Sequence, residues 1–298
     1  MTLTETPPIT VAFVGPAGDL DRLRRAGRRH RGASSADAHT PSITWATDRT
    51  PARTEAAVLV HTGGGERGHA QVRDFLSHGR PVITADVALV AGSGPELRRL
   101  AADRGTRFRG RAAAVAAVPA ITDLPNSLPS DASIRRVDGL LSPAADGFVR
   151  RLGRSRPPTV NQTQRRRAAA SLDGREASQR LAVVMQELTA SAIPEELVLR
   201  LGISGLSNED VVTARARQRT WRLVATAVTG ACARVEPMAL PVDHPLVDTP
   251  PGALALLVTT DDGTTCLVHG PAVAREAVDR AILQDLAAAD DRLPATVP

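Results

Sequence analysis

Chemistry in this chain would come from one pair of charged side chains at helical spacing and from three turns rich in glycine or small residues. Glu176 and Arg180 stand four residues apart in Gly174-Arg-Glu-Ala-Ser-Gln-Arg-Leu181, so a helix would set carboxylate and guanidinium one turn apart on one face. Such a pair could anchor a carboxylate or polarise an oxygen, but arginine holds its proton too tightly to be a good acid. An exposed helix ion pair, worth roughly a few tenths of a kcal/mol, is the plain alternative.

The first turn, Gly15-Pro16-Ala17-Gly18, follows an apolar strand at 9–14 and precedes a helical pattern through Leu20, Leu23 and Ala26. Strand, glycine turn and helix opening together lay backbone N–H groups and a helix N-terminus against a dinucleotide pyrophosphate. Gly15, Ala17 and Gly18 are the candidate contacts. Ala17 fills the second glycine site, Leu20 the third, and Pro16 removes a donor, so a ligand-free turn competes with this reading. Asp48 and Arg49, after a second strand at 43–46, sit where such a fold meets the adenosine ribose; the acid would favour NAD and the arginine NADP. Thr62 and Gly63, in His61-Thr62-Gly63-Gly64-Gly65, and Thr84, closing a strand at 81–84, complete the cofactor candidates. Asp86, two residues later, joins Glu176 and Arg180 as a candidate catalytic group.

These positions need a scaffold, and the hydrophobic pattern supplies one. Strands at 9–14, 43–46, 56–60 and 81–84 alternate with helical stretches at 20–26, 69–78 and 96–102, with 27–42 reading as a long loop. That alternation predicts an α/β fold, a doubly wound parallel sheet covered on both faces. Residues 106–121 read as a buried strand or helix, and 122–133 as a loop and domain boundary. Strand and helix at 134–152 and a hairpin of 252–260 with 264–269, turning at Asp261-Asp262-Gly263, belong to an α+β second domain. Ser207 with Asp210 is a helix start, and His244 before Pro245 reads as a turn and packing residue rather than a base.

Composition narrows the class further. The chain has 298 residues and 42% hydrophobic residues, ordinary for a globular protein. No apolar run approaches bilayer length and the first thirty residues lack a signal layout, so the expected location is the cytoplasm, away from membranes. Cys232 and Cys266 lack metal-ligand spacing and are expected to be reduced, packed thiols; no metal site is predicted. All 37 basic residues are arginine and tyrosine is absent. With no aromatics interleaved among the arginines of 22–31 or 165–167, this is compositional bias rather than a nucleic-acid surface.

Several segments resemble homoserine dehydrogenases. Val82-Ile-Thr-Ala-Asp-Val-Ala-Leu-Val-Ala91 is similar to the family's valine-rich strand running into Thr-Ala-Asn-Lys-Ala-Leu-Leu-Ala, with Asp86 for the asparagine and Val87 for the lysine that serves proton transfer. Thr62-Gly63-Gly64 resembles a Thr-Gly-Gly whose backbone passes the nicotinamide. Glu176 and Arg180 match the carboxylate and ammonium of Gly-x-Asp-Ala-x-x-Lys-Leu, which face the substrate. Val235-Glu-Pro-Met-Ala-Leu-Pro-Val-Asp-His-Pro-Leu246 follows a family turn almost residue for residue, and Arg222-Leu-Val-Ala225 stands for Lys-Leu-Ile-Ala. Elsewhere the pattern departs: Arg111-Ala-Ala-Ala-Val-Ala-Ala-Val-Pro119 replaces Glu-Ala-Ser-Val-Gly-Gly-Gly-Ile-Pro, Ser142-Pro-Ala-Ala-Asp-Gly147 replaces Asn-Gly-Thr-Thr-Asn-Tyr, and only His269-Gly270-Pro271 remains of a longer glycine turn.

The resemblance implies a Rossmann-like nucleotide-binding domain over 1–121, completed by a C-terminal helix at 275–298. It also implies a substrate and dimerisation domain over 134–270, a flexible connection at 153–168, a homodimer, a small-molecule substrate and NAD or NADP. With Val87 offering no proton and the substrate loop rebuilt, the expectation is a divergent NAD(P)-dependent oxidoreductase acting on a small carbonyl or hydroxy compound other than, or poorly on, aspartate semialdehyde. The alternative is a repurposed scaffold without redox chemistry, either a different catalyst or a binding partner in a biosynthetic pathway.

Overall fold

A computed structural model describes residues 9–33, 43–47, 56–129, 131–152, 172–189 and 193–290. The chain divides into two compact units, 1–116 with 275–298, and 117–274. In order, the elements begin β1 (Ile9–Val14), α1 (Ala17–Ala33), β2 (Ile43–Ala46), β3 (Val58–His61), α2 (Gly65–Ser77), β4 (Val82–Thr84), α3 (Val87–Asp103), β5 (Phe108–Arg109) and α4 (Arg111–Ala117). They continue as β6 (Ile134–Leu140), α5 (Pro143–Arg151), α6 (Arg175–Thr189), β7 (Leu199–Arg200), α7 (Asn208–Ala216), β8 (Arg219–Val228), β9 (Ala233–Pro241), β10 (Ala253–Thr260), β11 (Thr265–Pro271) and α8 (Arg275–Asp290). The fold is α/β: a Rossmann-like parallel sheet in the first unit and a mixed sheet with helices in the second.

The first unit's five strands run parallel in the order β2-β1-β3-β4-β5. All four residues of β3 are buried, as are all three of β4, the continuous apolar pattern of strands covered on both faces. α1 packs with α8 and α2 with α3. Two buried aspartates of α8 tie it down: Arg22 Nε lies 2.7 Å from Asp279 Oδ2, and Arg109 Nη1 lies 3.4 Å from Asp285 Oδ1. Burial pushes both carboxyls upward against the pull of those arginines.

Two helices are longer than their patterns announce. α1 continues through Gly27 to Ala33, where 27–42 read as loop. α3 starts at Val87, before the expected 96–102, because Asp86 caps it: its carboxylate accepts from the Leu89 N–H at 3.0 Å. Pro95 lies inside that helix. The alanine-rich 106–121 segment folds as β5, α4 and a 3-10 turn from Pro119 to Asn126, with Ala112, Ala113, Ala114 and Val115 buried. The 153–168 connection lies outside the described residues.

The second unit is a six-stranded sheet, β11-β10-β6-β8-β9-β7, antiparallel except where β7 joins β9. α6 packs across β6, β8 and β9. Leu140, Val224, Leu240 and Ala255 of the sheet form a core with Leu246 from the turn Pro245–Asp248. His244 caps that turn, its Nδ1 accepting from the Leu246 N–H at 3.2 Å. Ser142 caps α5 with Pro143 in its first turn, and Ser207 with Asp210 forms a capping box on α7. Cys266 is half-buried, but Cys232 is exposed in the turn after β8 and is not packed as expected.

Candidate functional site

In the first unit the strand order reverses between β1 and β3: the chain leaves β1 for β2 on one side and returns to β3 on the other. Carboxyl ends of strands at such a reversal form the crevice where α/β sheets take ligands. Here the Thr62 N–H donates to the Val14 carbonyl at 2.9 Å, drawing the two strand ends together. Gly15 fills the narrowest point: at φ +156°, a Cβ there would stand 2.1 Å from Thr62 Oγ1 and 3.2 Å from the Phe13 ring. Only a bare backbone fits. Thr62 Oγ1 is buried and has no hydrogen-bond partner among the described residues, an expensive state that an incoming acceptor would relieve. A Cβ at Gly18 would meet nothing within 4 Å among the described residues.

The set fits a dinucleotide. The N-terminus of α1, the N–H groups of Ala17 and Gly18 and the Thr62 hydroxyl could hold its phosphates, while Pro16 contributes no donor. Gly63 and Gly64 carry φ of +149° and +123°, turning the backbone sharply between β3 and α2. Asp48 and Arg49, the ribose candidates, lie outside the described residues.

At the ends of β3 and β4 lies a group of polar side chains that sequence reasoning missed in part. His61 is fully buried. Its Nδ1 is 3.1 Å from Thr84 Oγ1, and its Nε2 has no hydrogen-bond partner among the described residues. Gly68 of α2 makes room for the ring: a Cβ there would come within 2.7 Å of His61 Nε2. Burial depresses the imidazole pKa to about 4, outweighing the pull of Asp86, while His69 adds a little to the depression. Thr84 Oγ1 also accepts from the Asp86 N–H at 3.1 Å.

Asp86 therefore does two things. One carboxylate oxygen caps α3; the other lies 3.5 Å from Nε2 of His69, whose ring packs edge-on to His61 with centroids 5.9 Å apart. His69 is about one-third exposed and Asp86 largely covered, so the imidazole is the accessible member of the pair. Val87 follows, half-buried in the first turn of α3. The available signal for His61 and His69 was a histidine ending a buried strand and another just after a glycine run.

In the second unit, Glu176 and Arg180 do meet on α6, Oε1 to Nη1 at 2.8 Å. They are not the exposed pair of the plain reading: the Arg180 side chain is only 15% exposed. Its Nη1 also donates to the Leu141 carbonyl at 2.7 Å, and the Ser142 hydroxyl lies 3.4 Å from Glu176 Oε2. Burial lowers the arginine's pKa and Glu176 opposes that. The pair thus joins α6 to the turn between β6 and α5.

No metal-binding cluster of His, Cys, Asp or Glu occurs among the described residues, and none of their helices is long and apolar enough to cross a membrane. The family model for homoserine dehydrogenase matches residues 160–287. An NAD(+)-dependent homoserine dehydrogenase from Pseudomonas canavaninivorans is 26% identical over 77% of this chain and 68% of its own. The homoserine dehydrogenase of Mycobacterium leprae is 25% identical over 78% of this chain but only 57% of its own length, so the chain spans somewhat more than half of such relatives. The crystal structure of a homoserine dehydrogenase from Thiobacillus denitrificans covers 94% of this chain and 72% of its own, at a TM-score of 0.73 and 20% identity. The chain is thus similar to homoserine dehydrogenases in fold along almost its whole length, and in sequence pattern over residues 160–287.

Proposed function

We propose that the protein is an NAD(P)-dependent oxidoreductase of this family, working in the cytoplasm on a small carbonyl or hydroxy compound other than, or only poorly on, aspartate semialdehyde. The observation that carries this reading is the Gly15–Thr62 crevice, where a side-chain-free backbone faces a buried hydroxyl without a partner. One hyperthermophilic archaeal homoserine dehydrogenase of the same fold, at a TM-score of 0.68, has been solved as a mutant in complex with NADPH; binding of NAD or NADP is assigned to this chain by analogy.

A bound nicotinamide would supply the hydride to a carbonyl carbon or take it from a carbinol. The chain's own residues must then manage the proton. In the reducing direction the carbonyl oxygen would gain the π electrons as carbon took the hydride, and it would need a proton. Val87 cannot give one. His69, with Asp86 Oδ2 beside its Nε2, is the group assigned to donate it and to regain it from solvent. His61 and Thr84 hold the strand end and the Asp86 backbone behind that pair. Glu176 and Arg180 are assigned to substrate oxygens, since a guanidinium binds anions well and releases protons poorly. A homodimer belongs to the same reading: Leu199 of the edge strand β7 and Leu197 and Leu201 on either side of it are 59%, 70% and 51% exposed, an apolar patch a second copy would cover.

The competing reading, a scaffold without redox chemistry, is favoured by Val87 and by the buried methyl groups of Ala112, Ala113 and Ala114, where the family has a glycine stretch. Fluorescence titration with NADH and NADPH separates the two. Saturable binding of either supports the oxidoreductase; no binding of both up to about 1 mM leaves the scaffold.

A further inference from the structure

The second unit holds a cavity of about 450 Å³ with no carboxylate on its wall among the described residues. Arg150 of α5, Arg215 of α7 and Arg222 of β8 line it, together with Trp221 and the apolar side chains of Val149 and Pro251. Neither Glu176 nor Arg180 takes part, and none of the first unit's residues does.

The charges around this cavity do not balance. Asp146 lies behind the wall, held by Arg150 Nε at 2.5 Å and facing Arg222 Nε at 3.4 Å. Arg222 is 4% exposed. Its two terminal nitrogens donate to the Trp221 and Val247 carbonyls, at 3.0 and 3.3 Å, while its Nε and Asp146 Oδ1 make no hydrogen bond among the described residues. Arg150 spends one more donor on the Thr249 carbonyl at 2.8 Å. Arg215, exposed at the rim, reaches only the Leu152 carbonyl, at 3.5 Å. Three guanidiniums against one carboxylate leave an excess positive charge on a partly desolvated wall. Burial and the neighbouring Arg150 both depress the Arg222 pKa, against the pull of Asp146.

A guanidinium fork matches carboxylate and phosphate oxygens alike, the excess of positive charge here favours the doubly charged phosphate, and a low-dielectric wall strengthens that contact. A cavity of this volume lies within the usual range for small organic ligands, and the Trp221 ring, Val149 and Pro251 give such a ligand an apolar surface. We infer that this cavity is a binding site for a small phosphate ester, its phosphoryl group between Arg215 and Arg150 and its organic part against Trp221. Arg222, already tied to two carbonyls, fixes the field rather than the contact. The claim is independent of the redox reading.

Isothermal titration of the full chain with phenyl phosphate and with inorganic phosphate tests it, in buffer of constant chloride. Saturable binding of phenyl phosphate is expected, tighter than inorganic phosphate, and Arg215→Gln should weaken it at least about tenfold, the worth of one charge-assisted hydrogen bond. Arg215 is exposed, so the variant should melt with the wild type. Arg73→Gln, a surface arginine of the first unit, should leave binding unchanged. Absence of saturation up to about 10 mM, or equal weakening by both variants, would overturn the inference, since either result marks general attraction to a basic chain.

Discussion

Each unit buries a polar cluster, and the two are arranged on opposite principles. In the first, the buried imidazole of His61 touches one hydroxyl, its other nitrogen has no hydrogen-bond partner among the described residues, and the carboxylate of Asp86 faces a second histidine. Neutrality there comes from giving up a proton: burial holds the ring uncharged near pH 7. In the second, the buried carboxylate of Asp146 sits between Arg150 and Arg222, and Arg180 grips Glu176 and a backbone carbonyl. Charge there is kept rather than given up: permanent ions are paired, with one carboxylate shared by two guanidiniums. A cluster built from titratable groups can move protons during a reaction; one built from guanidiniums can only hold anions. The proposed reaction accordingly places proton transfer in the first unit and anion binding in the second.

The sharpest way to break this contrast is to remove one charge from the paired cluster. Asp146→Ala leaves Arg222 buried against Arg150 without a counter-ion, and a loss of about 3–5 kcal/mol is expected from urea unfolding. If the midpoint barely moved, the second cluster would not be held by pairing.

The titratable cluster should respond to pH instead. With the folded pKa of His61 near 4 against an ordinary 6.5, the unfolded chain takes up a proton that the folded one refuses. Stability credited to the neutral ring is therefore whole above pH 6.5 and drains away as pH falls toward 4, by about 3 kcal/mol. The raised carboxyls of Asp279 and Asp285 act in the opposite direction, so the measurement is the difference between wild type and His61→Gln, whose urea midpoints should converge between pH 7 and pH 4.

At the crevice, Gly15→Ala would drive its methyl into the Thr62 hydroxyl. Affinity for NADH or NADPH should fall at least about tenfold, roughly 1.4 kcal/mol, read by fluorescence titration. Smallest of all is the exposed pair between Arg73 of α2 and Glu96 of α3. Arg73→Ala should leave the melting temperature unchanged, because solvent already screens both charges; a clear drop would blur the line drawn between buried and exposed pairing.

Much of the framework was readable from residue order. Apolar runs at 56–60 and 81–84 announced the buried parallel strands found at Val58–His61 and Val82–Thr84, and Ser207 three residues before Asp210 announced a capped helix. The helix expected at 96–102 starts much earlier: capped by Asp86, it runs through Gly92, Gly94 and Pro95, where tertiary contacts override weak helix propensity. Gly27 and the arginine-rich positions after it hid the end of α1, because a polar face carries no periodic signal. Glu176 and Arg180 were legible as a pair, one turn apart; their attachment to the Leu141 carbonyl, 39 positions from Arg180, was not. The pairing of His69 with Asp86 escaped for the same reason, since it exists only once α2 and α3 lie side by side.

The contact between Arg22 and Asp279 bridges 257 positions, and it carries a consequence for synthesis. A nascent chain emerging from the ribosome completes every strand of the first sheet long before α8 exists. Until that helix emerges, the surface of α1 that receives it stays uncovered and Arg22 lacks its distant carboxylate. The first unit is therefore completed last, while the second unit, continuous from 117 to 274, can close as soon as its own last strand is made.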